Sequence, residues 1–63
     1  MENLEDNMNS MMQCLISTAI DVEKFKVGNQ SAGTRIRQSM QEIKKIAQDV
    51  RVEVQSIKNG ELV

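Results

Sequence analysis

Sixty-three residues with a formal net charge of −1, one cysteine, no histidine, no proline and a single aromatic residue, Phe25, amount to one small domain at most, spanning residues 1–63. A disulfide framework needs a second thiol and a transition-metal site needs further soft or imidazole ligands, so neither staple can form. Histidine acid–base chemistry, a phosphate loop following a strand and an aromatic stacking platform are excluded by the same list. The chain is therefore expected to be no enzyme and to use no cofactor, no metal and no small-molecule substrate.

The opening "MENLEDNMNS" is acidic where a secretory leader needs positive charge. Nothing in the chain reaches the run of about 18 apolar residues that crosses a bilayer. The expected place of action is the cytoplasm, with no membrane partner. From Leu4 onward the residues Leu4, Met8, Met11, Leu15, Thr18, Val22 and Phe25 alternate steps of four and three, the spacing of a heptad seam on a helix. Met12, Ile16, Ala19 and Ile20 widen that stripe, as expected of a helix with more than one neighbour. A first helix is predicted over about 3–26. Cys14, alone among apolar residues, reads as a small buried hydrophobe, and the methionines at seam positions read as core filling.

The segment "KVGNQSAGT" follows. Gly28 can adopt the left-handed backbone that ends a helix, and Asn29 or Ser31 can cap the next one, which places the turn at about 27–30. So short a connection makes the two helices antiparallel neighbours. Gly33 lies three residues before Ile36, where the lack of a side chain allows close approach. The second helix is predicted over about 31–58 on the pattern Ile36, Met40, Ile43, Ala47, Val50, Val54 and Ile57, with Ile46 and Val52 beside it and Gly60 as its stop.

The fold predicted is all-α: an antiparallel helical hairpin with heptad seams. A chain of this size buries too little surface to be comfortably stable alone, so two hairpins are expected to associate into a four-helix bundle. Met8, Met11, Leu15, Val22, Ile36, Met40, Ile43, Ala47, Val50, Val54 and Ile57 form the expected oligomer core.

Charge is distributed unevenly. Residues 1–23 hold five acids (Glu2, Glu5, Asp6, Asp21, Glu23) and no base, whereas residues 24–58 hold eight bases against three acids (Glu42, Asp49, Glu53), so the two halves carry −5 and +5. Lys24 and Lys26 suit the negative end of a helix dipole; Arg35 and Arg37 stand at the positive end of the next helix and call for a compensating partner. Asp21 and Glu23 on the neighbouring helix are one candidate, a polyanion the other. Arg37, Lys44, Arg51 and Lys58 recur every seven residues in one column beside the seam, where they can track a phosphate backbone or pair with acids across a coiled coil.

The run "EKFKVGNQSAGTRIRQSMQEIKKIAQDVRVEVQSIKN" resembles the bacterial linker-histone-like family, the chlamydial-type nucleoid proteins and their short relatives. Gly28, Asn29, Ala32, Gly33, Thr34, Arg35 and Arg37 carry the resemblance, followed by Gln41, Glu42, Ile43, Lys44, Lys45, Ala47 and Arg51. It implies a histone-like protein that binds duplex DNA without sequence preference, associated with the nucleoid or with a viral genome. Lys24, Lys26, Arg35, Arg37, Lys44 and Lys45 are the phosphate contacts expected. Gln30 and Gln38 replace residues that are often basic in the family, and no Lys/Ala-rich tail is present to drive compaction. The alternative is a coiled-coil oligomerisation or adaptor module that binds no nucleic acid.

Overall fold

A computed structural model describes residues 3–61, with side chains to Gly60; Met1, Glu2, Leu62 and Val63 lie outside the described residues. Two helices, α1 (Leu4–Lys26) and α2 (Gln30–Glu61), pack against each other as an antiparallel hairpin. Asn3 caps α1 by accepting the Asp6 backbone N–H at 2.8 Å on Oδ1. Glu5 and Asp6 occupy the first turn and Lys24 and Lys26 the last, each sign matching the adjacent end of the helix dipole.

Two interlocking caps make the bend. Gly28, at φ 103°, takes the left-handed conformation that costs glycine nothing. Its N–H donates to the Phe25 carbonyl at 3.0 Å and the Asn29 N–H donates to the Lys24 carbonyl at 3.0 Å, the paired closure of a Schellman motif. Asn29 then starts α2: its Oδ1 accepts from the Ala32 N–H at 3.3 Å and from the Ser31 hydroxyl at 2.8 Å. The expected room at Gly33 is filled by a ring and not by the opposing backbone, since a Cβ there would sit 2.8 Å from Phe25 Cε1. At its far end α2 runs through Gly60 to Glu61, so Gly60 is not the stop the sequence suggested. Gly28 is the one glycine at positive φ, and a helical glycine without that turn simply continues the ladder.

Contact between the helices follows two heptad columns on each. On α1 these are Leu4, Met11, Thr18 and Phe25, with Asn7, Cys14 and Asp21. On α2 they are Ile36, Ile43 and Val50, with Ala32, Ser39, Ile46 and Glu53. The second column is largely polar on α1 and half polar on α2. Asn7 and Thr18 are buried, the Thr18 hydroxyl donating to the Cys14 carbonyl at 2.7 Å. Cys14 is half-buried, its Sγ 3.7 Å from the Ser39 carbonyl, and so is less enclosed than the sequence reading proposed.

Among the described residues Ala32 and Ile46 are the buried hydrophobic ones, and no large side chain is fully enclosed. The predicted seams of both helices contain one column that faces the neighbouring helix and one that does not. Met8, Leu15 and Val22 on α1 and Met40 and Val54 on α2 remain exposed, while Met11, Ile36, Ile43, Ala47 and Val50 are half-buried; Ile57 is exposed near the end of α2. Round each helix the columns follow one another in the same order: the polar contact column, the apolar contact column, the exposed apolar column, and then Glu5, Met12, Ala19 and Lys26 on α1 or Arg37, Lys44, Arg51 and Lys58 on α2. Because the helices are antiparallel, equal rotation from the contact brings the last two columns of both to the same side of the hairpin. That side is apolar next to the helix contact and is bordered by the charged residues Glu5 and Lys26 of α1 and Arg37, Lys44, Arg51 and Lys58 of α2. The opposite side carries Ser10, Ser17 and Lys24 on α1 and Arg35, Glu42, Asp49 and Ser56 on α2, and Ile16 and Ile20 lie on the outward face of α1.

Candidate nucleic-acid interface

The bend gathers four cations because the Schellman turn folds the last turn of α1 back against the first turns of α2. Their surroundings differ. Arg35 Nε donates to Asp21 Oδ1 at 3.0 Å, and the Asp21 side chain is only 13% exposed. That guanidinium therefore meets the need for compensation from within the protein: a carboxylate pressed into the helix contact is held by a charge from the opposite helix. Lys26 Nζ lies 3.7 Å from Glu23 Oε1 between two well-exposed side chains, a contact of little energetic weight. Replacing Arg35 by alanine is expected to lower stability by about 1 kcal/mol, whereas Arg37→Ala changes it by less than about 0.5 kcal/mol. Urea unfolding of the two variants checks the contrast.

Arg37, Lys44 and Lys45 are exposed along α2, as is Lys24 at the end of α1. Among the described residues no carboxylate lies within ion-pair distance of Lys24, Arg37, Lys44, Lys45 or Arg51. Shallow depressions on the outer surface of α2 are lined by Gln41, Lys44, Lys45, Ala47, Gln48, Asp49 and Arg51 and, nearer the bend, by Thr34, Arg37, Gln38 and Gln41. Positive charge there is interleaved with neutral amide and hydroxyl donors, groups that hydrogen-bond phosphate oxygens, and with one acid, Asp49. The six predicted contacts thus divide: Lys24, Arg37, Lys44 and Lys45 are free of internal ion pairs among the described residues, and Arg35 and Lys26 are engaged. Gln41, Gln48 and Arg51 extend the surface beyond the predicted set. Gln41 and Gln48 are seven residues apart and Arg51 shares the seven-residue column of Arg37 and Lys44, but an uncharged glutamine gives no signal by itself.

Among the described residues no grouping of acidic or thiol side chains could hold a metal ion, and no helix is long and apolar enough to cross a membrane. Comparison with known families matches residues 5–60 to the histone H1-like protein Hc1 family. No curated protein and no solved structure matches the chain. The match takes in both helices and the bend, from the first turn of α1 to Gly60, and so covers the whole hairpin and not a helical fragment of it. The chain belongs to the histone H1-like Hc1 family.

Proposed function

We propose that this chain is a small nucleoid-associated DNA-binding protein that holds duplex DNA through its phosphates, without sequence preference, and does so as an assembly of hairpins. Membership of a histone H1-like family supports the choice of DNA as partner, and α2 carries no aromatic side chain on which unpaired bases could stack. One observation carries the reading: Arg37, Lys44 and Lys45 stand on the exposed surface of one helix, and among the described residues no carboxylate lies within ion-pair distance of them. Lys24 adds a cation on the other side of the bend, and Lys26 one on the side of Arg37 in spite of its loose contact with Glu23. Arg35 contributes field more than direct contact because Asp21 already occupies it. Two such patches on one particle would bridge or bend duplexes, avidity compensating for the weakness of each.

Titration of unrelated duplexes by fluorescence anisotropy at several salt concentrations tests this. Similar affinities for all sequences are expected, with a slope of log affinity against log salt of roughly −0.9 for each phosphate neutralised. The double variant Arg37→Glu, Lys45→Glu is expected to lose binding at least about 100-fold while keeping its helical circular dichroism. Undiminished binding by this folded variant would remove the assignment of α2 as the DNA surface.

A second reading, an adaptor that binds only helices, is favoured by the exposed apolar side containing Met8, Leu15, Val22, Met40 and Val54. The same titration separates them, since an adaptor leaves duplexes free at low salt.

A further inference from the structure

The exposed apolar side is a surface for one occupant, and its borders show how that occupant sits. We infer that two copies pair through this side about a two-fold axis parallel to the helices, so that α1 of each covers α2 of the other and both bends lie at the same end. This rests on the self-association proposed above and goes beyond it by fixing which helices meet.

A second copy is the occupant because the surface completes itself. Leu4, Met11 and Phe25 with Met8, Leu15 and Val22 on α1, and Ile36, Ile43 and Val50 with Met40, Ala47 and Val54 on α2, present two adjoining columns toward a common space below the hairpin. These are the two columns that a four-helix bundle turns inward. Among the described residues a lone hairpin buries just two hydrophobic side chains, Ala32 and Ile46.

Two symmetric pairings cover that side. With the axis across the hairpin, α2 lies antiparallel on α2 of the second copy and the bends point to opposite ends. The bordering column of α2 is Arg37, Lys44, Arg51 and Lys58, so every axial offset then sets cations against cations. Like charges so placed repel. With the axis along the hairpin, the column meets that of α1: Glu5, Met12, Ala19 and Lys26.

The levels agree. From the Asp21–Arg35 ion pair, sixteen residues back along α1 and sixteen forward along α2 lead to Glu5 and Arg51. Counting instead from Cys14 and Ser39 brings Glu5 level with Gln48, one turn away. Glu5 of one copy therefore stands beside Arg51 of the other, with Met12 level with Lys44 and Ala19 with Arg37, whose methylene stems can cover them. Complementary charge selects the parallel axis.

The sign of one substitution distinguishes the two pairings. Arg51 is exposed and outside the hairpin's own contact, so Arg51→Glu folds. In the inferred pair it faces Glu5, and the dissociation constant measured by sedimentation is expected to rise about tenfold or more; adding Glu5→Arg restores it to within about threefold. In the opposite pairing Arg51→Glu meets Lys44 or Arg37 and tightens association. A nitroxide on Val27→Cys, in a Cys14→Ser background, reads the geometry directly, because Val27 is 85% exposed. Bends at one end give a dipolar distance of about 20 Å, the width of a bundle; bends at opposite ends give about 35 Å or more from the helical rise. The longer distance, or tightening by Arg51→Glu, overturns the arrangement while leaving self-association intact. A monomeric mass with no dipolar coupling overturns both, whatever DNA binding shows.

Discussion

Replacing Leu15 by aspartate is expected to convert the assembled protein into a monomer and to cost about 3 kcal/mol or more per pair of hairpins. In the single chain Leu15 is 49% exposed, and a carboxylate there would remain hydrated at little cost. Covered by a second copy, each leucine loses roughly 1.5–3 kcal/mol of burial when removed, and two carboxylates are left desolvated at the centre of the contact. The effect therefore measures assembly and not the fold of the hairpin. Sedimentation at micromolar concentration gives the mass, and thermal melting followed by circular dichroism gives the stability over a range of concentrations. Unchanged mass and midpoint would mean that the apolar side stays open to water.

Ile46→Ala acts on the hairpin itself. Ile46 is the large apolar residue with the least exposure, 7%, and it lies in a contact column otherwise made of Ala32, Ser39 and Glu53. Truncating a buried isoleucine costs about 2–5 kcal/mol, and the lower part of that range is expected because neighbours near the surface can relax into the gap. For so small a domain that is a large share of the total stability. Denaturant unfolding should show a midpoint lowered by Ile46→Ala and left nearly unchanged by Val52→Ala, whose side chain is 58% exposed on the same helix.

The hairpin was legible because its determinants are local. Gly28 and Asn29 encode their backbone states in their own chemistry, and the four-three spacing of apolar residues needs no partner to define a helical stripe. The direction in which that stripe points is a different matter. The sequence locates the centre of apolar character on α1 near Met8, Leu15 and Val22, but the hairpin contact is turned toward Asn7, Cys14 and Asp21. No rule of periodicity predicts a contact column containing asparagine, aspartate, serine and glutamate; it follows only from where the second helix lies.

The basic surface shows the same divide. Compositional asymmetry placed the cations on the second half of the chain, and their spacing put Arg37, Lys44 and Arg51 in one column. That Arg35 turns inward to Asp21 while Arg37, two residues on, stays free depends on the opposite helix, and the two arginines read alike in one dimension. Gly60 failed as a helix stop for a related reason: a terminating glycine works through the left-handed turn and the returning hydrogen bonds, which residue identity alone does not guarantee.

The bend between the helices is braced at every point. Gly28 and Asn29 donate back into α1, the Asn29 side chain holds the start of α2, Phe25 rests on Gly33, and Arg35 is clamped to Asp21. Nothing there has to become ordered when a polyanion arrives. In the proposed function, encounter would be limited by diffusion and ionic strength with no folding step, and the protein would travel along a duplex from one stretch of phosphates to the next without remodelling itself.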